Sequence, residues 1–185
     1  MANTVLVQTK CTSMNVDAYK KVGVASTAIQ NGTPLVLGAI SSTAGQGEVF
    51  SVAAPASIVK GLYMAYSPEV VVTADGSLQF KGLDADPRDF ENVANVPFDI
   101  FYLNPNVDMI QVSTPFFATG KDPATITGAT VVELNSSGAF EAKVSATSDY
   151  AGTRFSIVKS DPIVIANGAL GGEAVDAWIL MCTQN

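Results

Sequence analysis

Apolar and polar positions alternate with a period of two along most of the 185 residues, the spacing of strands with one buried face. "TVLVQTK" (4–10) reads as a short strand. "VGVASTAIQNGTPLVLGAIS" (22–41) reads as strand, turn, strand, with Asn31-Gly32 supplying the positive φ of a tight turn. "EVFSVA", "GLYMAYS", "EVVVTA" and "SLQFKG" follow, the last two joined by Asp75-Gly76, a second hairpin signal. "VPFDIFYL" and "DMIQVST" flank a turn marked by Asn104-Pro105. "ATVVELN", "GAFEAKVSA", "RFSIVKS", "PIVIA" and "DAWILMCTQ" complete the series. Val, Ile, Phe and Thr dominate these stretches, and Gly, Pro, Asn and Asp punctuate them.

Helical periodicity is scarce. "PASIVKGLYMAY" has room for one turn and "PRDFENVAN" for another, the second opened by Asp86-Pro87 as a cap and first-turn pair. The pattern therefore predicts a mainly β protein, an antiparallel β-barrel or sandwich with one or two short helical turns. Residues 1–20, where apolar content is thin, are expected to form an irregular N-terminal arm on a β domain spanning 21–185. "SPEVVVTADGSL" from Ser67 and "DPIVIANGAL" from Asp161 share proline, three β-forming apolar residues and a glycine turn. Two short strands before similar turns match this well without duplication.

Charge changes the picture. Only 15% of residues are charged, below the ~25% of ordinary soluble domains. That shortage implies a surface partly covered by subunits or partners, although a small Ser/Thr-rich β protein also runs low in charge. The net charge of −7 and the scattered Lys and Arg exclude a phosphate-binding patch, so no nucleic-acid partner is expected. No apolar stretch reaches the ~20 residues of a membrane-spanning helix. The first residues show no secretory signal, which implies synthesis in a reducing cytoplasm. Cys11 and Cys182 are then better read as buried thiols than as a disulfide.

Candidate chemistry is limited by the same inventory. With no histidine there is no His-based triad, His zinc site or imidazole base. Two cysteines without CxxC spacing do not make a structural zinc site. "GAISSTAGQGE" lacks the lysine of a phosphate loop, and no GxSxG elbow occurs. No enzyme, cofactor or catalytic residue is expected. The densest polar feature is "GLDADPRDF" (82–90), with Asp84, Asp86 and Asp89 around Arg88 and with Phe90 at its end. Read as a calcium loop from Asp84, it has Asp89 and Asn95 where glycine and glutamate are required. The plainer reading has Asp86 capping a turn, Arg88 pairing with Asp84 or Asp89, and the loop serving structure or an interface rather than a metal.

From this loop outward the chain resembles the head decoration, or cement, proteins of tailed bacteriophages. The matching pieces are Ser67-Pro68-Glu69, the acidic loop ending in Phe90, then Phe101, Leu103, Asp108, Ile110 and Thr114. "AIQNGTPLVLG" resembles the family's early hairpin and "ITGATVVELNSSGAFEAK" its later barrel strands. The resemblance covers about two thirds of the chain and departs from the family at the "GLDADPRDFENVANVP" insertion. It rests on turns and apolar alternation rather than on a catalytic motif. It implies a virion protein on the outer capsid surface, present in the host cytoplasm during assembly. Its partner would be the major capsid protein, with a homo-oligomer, a trimer among the options, forming on the shell. Another virion module, such as a tail-tube or receptor-contacting protein, and a sugar-binding or hydrolytic β-sandwich are the alternative readings.

Overall fold

A computed structural model describes residues 4–42, 45, 47–68, 70–72, 78–80, 86–166 and 172–185. The architecture is mainly β, as expected, and consists of a closed barrel packed on an open sheet. The open sheet comprises β1 (Leu6–Lys10), β11 (Met109–Ser113), β17 (Ala177–Gln184), β14 (Arg154–Ser160), β12 (Val131–Leu134) and β13 (Phe140–Lys143), antiparallel in that order. The barrel closes through β10 (Phe98–Tyr102), β2 (Lys20–Val24), β5 (Val49–Ala53), β4 (Pro34–Ile40) and β6 (Tyr63–Ala65). Its one parallel pair joins β2 to β5.

Three two-stranded pairs complete the described strands. They are β3 (Ile29–Gln30) with β9 (Glu91–Asn92), β7 (Val70–Val72) with β8 (Leu78–Phe80), and β15 (Ile163–Ala166) with β16 (Gly172–Val175). The two stretches that looked like a repeat thus supply the first strands of two similar hairpins. The Asp75-Gly76 turn of the β7–β8 pair lies outside the described residues.

Strand β10 shows how alternation builds two cores at once. Phe98 and Ile100 point into the barrel with Leu35, Val52 and Ala65. Phe101, on the opposite face, joins Leu103, Leu62 and Met64 against the open sheet. The larger core centres on Phe140, whose ring stacks on Phe155 at 5.5 Å and meets Phe116 and Phe117 edge-on at 5.5 and 5.8 Å. These centroid distances and angles are those at which aromatic pairs attract beyond their buried area. Asn185 clasps the two layers together. Its side chain bonds both backbone groups of Leu62 at 3.0 Å, donates to Leu103 O at 3.0 Å and accepts from Thr153 Oγ1 at 2.8 Å.

One expectation changes. From Thr4 on, the expected N-terminal arm is not separate from the β domain, because β1 pairs with β11 and buries Leu6, and Cys11 sits in the main core. Between β1 and β2 the chain makes the 3-10 turns Thr12–Met14 and Asp17–Tyr19. A pattern of five residues is too short to show from sequence that its partner strand lies a hundred residues away. The turn marked by Asn104-Pro105 carries the chain from barrel to sheet. Asp108 fixes that crossing by accepting from Asn104 N at 2.8 Å and from Thr12 N and Oγ1 at 2.7 Å.

Candidate functional site

The acidic loop opens as its residue types require. Asp86 is the cap of the 3-10 turn Pro87–Asp89, accepting from Arg88 N at 2.9 Å, with proline where a missing N–H costs nothing. Its carboxylate also takes Arg88 Nη2 at 2.6 Å and Nε at 3.0 Å, so the Arg88 side-chain hydrogen bond holds the Asp86 carboxyl below its ordinary range. A second carboxylate on Arg88 is Glu173 of β16, at 3.0 Å, and Asp89 is not paired with it. Asp84 lies outside the described residues, and Asp89 points to solvent. Arg88 therefore ties the loop to the β15–β16 hairpin.

Phe90 is buried and closes one side of a cleft of about 200 Å³. Phe98 lines the cleft with it, together with Val93, Val96, Pro97 and Glu91. The floor is a buried polar network. Asn92 donates to Ile29 O at 3.0 Å and Asn31 Oδ1 at 3.2 Å, and Asn31 bonds both backbone groups of Ser67 at 2.9 and 3.0 Å. Ser67 Oγ in turn accepts from Asp99 N at 3.1 Å. Asn31 was legible as a turn residue, but its pairing with Ser67 and Asn92 was not. Gly32 beside it has φ +86°, and a Cβ there would stand 2.1 Å from Phe116 Cζ.

The turn that follows Asn92 is rigid. Val96 N donates to Val93 O at 3.2 Å, Asn95 adopts φ +62°, and Asn95 N donates to Ala25 O at 2.8 Å. This geometry holds Val93 at 65% and Val96 at 50% exposure, high for branched aliphatic side chains on a pinned turn. Among the described residues neither Asp89 nor Glu91 has a basic side chain at ion-pair distance.

A larger cavity of about 590 Å³ opens beside Thr9, Cys11, Met14, Val107 and Asp108. Its thiol is a poor nucleophile. Burial first, and the Asp108 charge second, push Cys11 up to about 12, and burial does the same to Cys182. Both cysteines are free and buried. The other buried carboxylate, Glu133, is consumed by structure. Burial alone would raise its pKa, but hydrogen bonds from Lys143 and Thr147 pull it down to about 2. Among the described residues no three Cys, Asp or Glu side chains are grouped to hold a metal, and no helix is long and apolar enough to cross a membrane. What the cleft offers is apolar contact and negative charge.

No protein-family model matches the chain, and neither does a curated protein or a solved structure.

Proposed function

We propose that this protein is a structural component of a phage virion that binds the outer surface of the expanded capsid and stabilises contacts between major capsid subunits. The observation that carries the reading is the surface around residues 86–98. There a pinned turn holds two valines in water next to Asp89 and Glu91, which have no cation at ion-pair distance among the described residues, while charge is scarce over the whole chain. Exposed aliphatic groups on rigid backbone lose little entropy on association, so they suit a surface that another protein covers. The motif residues that resemble decoration proteins support the same reading. Asn31, Ser67, Phe101, Leu103, Asp108 and Ile110 are buried, which makes the shared pattern one of shape.

A clamp that touches two subunits adds mechanical strength to their contact. Shells stripped of the protein should assemble but break at lower temperature or lower osmotic stress than decorated shells, and adding purified protein back should restore the difference. Stripped shells as tough as decorated ones would remove the cement function. Rings formed by the protein alone would instead favour a tail-tube module.

A further inference from the structure

We infer that the cleft between Phe90 and Phe98 docks a protein surface that presents one large apolar side chain flanked by lysine or arginine. The inference deepens the capsid reading and rests on it for the partner's source, a loop of the capsid subunit. Three properties of the cleft select that chemistry.

The first is size and lining. A cavity of about 200 Å³ walled by Phe90, Phe98, Pro97 and the two valines takes a single apolar anchor rather than an extended ligand. A large side chain anchored in a pocket is the usual centre of a protein interface.

The second is preorganisation. Asn92 and Asn95 pin the turn to the barrel at Ile29 O and Ala25 O, and the buried Asn31–Ser67 pair supports it from below. These bonds hold the walls in place, so an anchor entering the cleft pays little to order them.

The third is charge. Arg88 is occupied by Asp86 and Glu173, so the only local cation among the described residues is internally compensated. Glu91 lines the cleft and Asp89 stands exposed two residues before it, and among the described residues neither is neutralised. An acidic rim around an apolar centre favours a partner with basic flanks and repels one with acidic flanks, an effect that salt weakens.

The test uses two arms. In the first, the ¹⁵N-labelled full chain is titrated with the peptide acetyl-Gly-Lys-Phe-Lys-Gly-amide. Its controls carry Ala in place of Phe or Glu in place of both Lys. Amide shifts should concentrate in residues 90–98, vanish with both controls, and weaken at least about tenfold in Val93→Asp and in the double variant Asp89→Lys, Glu91→Lys. Both substitutions are at exposed or rim positions, and an unchanged spectrum away from the cleft shows that each variant is folded. No shift in 90–98 at about 1 mM peptide, or equal shifts with the controls, overturns the inference. In the second arm, wild type and the two variants are sedimented with expanded shells. Shells that bind the variants as tightly as wild type overturn the cleft as the docking surface while leaving the capsid reading intact. Shells that ignore wild type overturn the capsid reading, and the peptide arm then decides the cleft alone.

Discussion

Glu133 and Glu91 are both strand glutamates, and the molecule treats them in opposite ways. Glu133 is 1% exposed and accepts from Lys143 at 2.7 Å, Arg154 at 3.0 Å and Thr147 N and Oγ1 at 2.8 and 2.6 Å. Glu91 sits at a cleft edge with no cation near it among the described residues. The same division runs through the apolar residues. Phe140 is enclosed by three aromatic rings, whereas Val93 lies mostly in water. Buried charge must be paired or the fold fails, while exposed charge is free to serve a partner. Stability and docking therefore reside in different residues, and mutations should separate them.

The largest effects are expected in the body. Phe140→Ala should cost ~3–5 kcal/mol of stability by leaving a cavity among Phe116, Phe117 and Phe155. Glu133→Ala should cost about 3 kcal/mol, because Lys143 and Arg154 lose a shared anion. Denaturant unfolding measures both. The Glu133 contribution also carries a pH signature. Its carboxyl is held near 2 in the fold, against 4.5 when unperturbed, so its stabilisation is complete above pH 4.5 and is lost as pH falls towards 2. Wild type should lose stability through that window more steeply than Glu133→Gln.

Asn185→Ala should rank next. It removes three hydrogen bonds between barrel and sheet and a fourth to Thr153, and leaves Leu62 and Leu103 backbone groups without their partner, an expected loss of ~1–3 kcal/mol. Arg88→Ala breaks partly exposed pairs with Asp86 and Glu173, so stability should fall by no more than ~1 kcal/mol. Val93→Asp should change stability least, within ~0.5 kcal/mol, since the side chain is already in water. A large loss from Val93→Asp would mean that the turn belongs to the core and would erase the contrast with Phe140.

Local features were the ones legible in the sequence. Period-two alternation identified most strands, Asp86-Pro87 marked the 3-10 turn that forms there, and Gly32 adopts the positive φ that its turn signal implied. Each of these is decided by a residue and its immediate neighbours. Features decided by distant pairing were hidden. Arg88 finds Glu173 only because β16 folds beside the loop, and local acids at 84 and 89 were the nearer candidates in sequence. Strand β1 looked like the start of a free arm because nothing in "LVQTK" names β11 as its neighbour. The cleft was half visible. Phe90 and its acidic loop stood out, but exposure of Val93 and Val96 follows from the bond of Asn95 to Ala25, which no spacing rule reports.

Co-sedimentation of the purified protein with expanded and unexpanded shells tests the capsid reading most directly. A clamp contacts more than one subunit, so its affinity depends on their spacing, and a misplaced second contact forfeits the multivalent gain. The account predicts saturable binding to expanded shells and little or none to unexpanded precursors. Equal binding to both, or to neither, would contradict it.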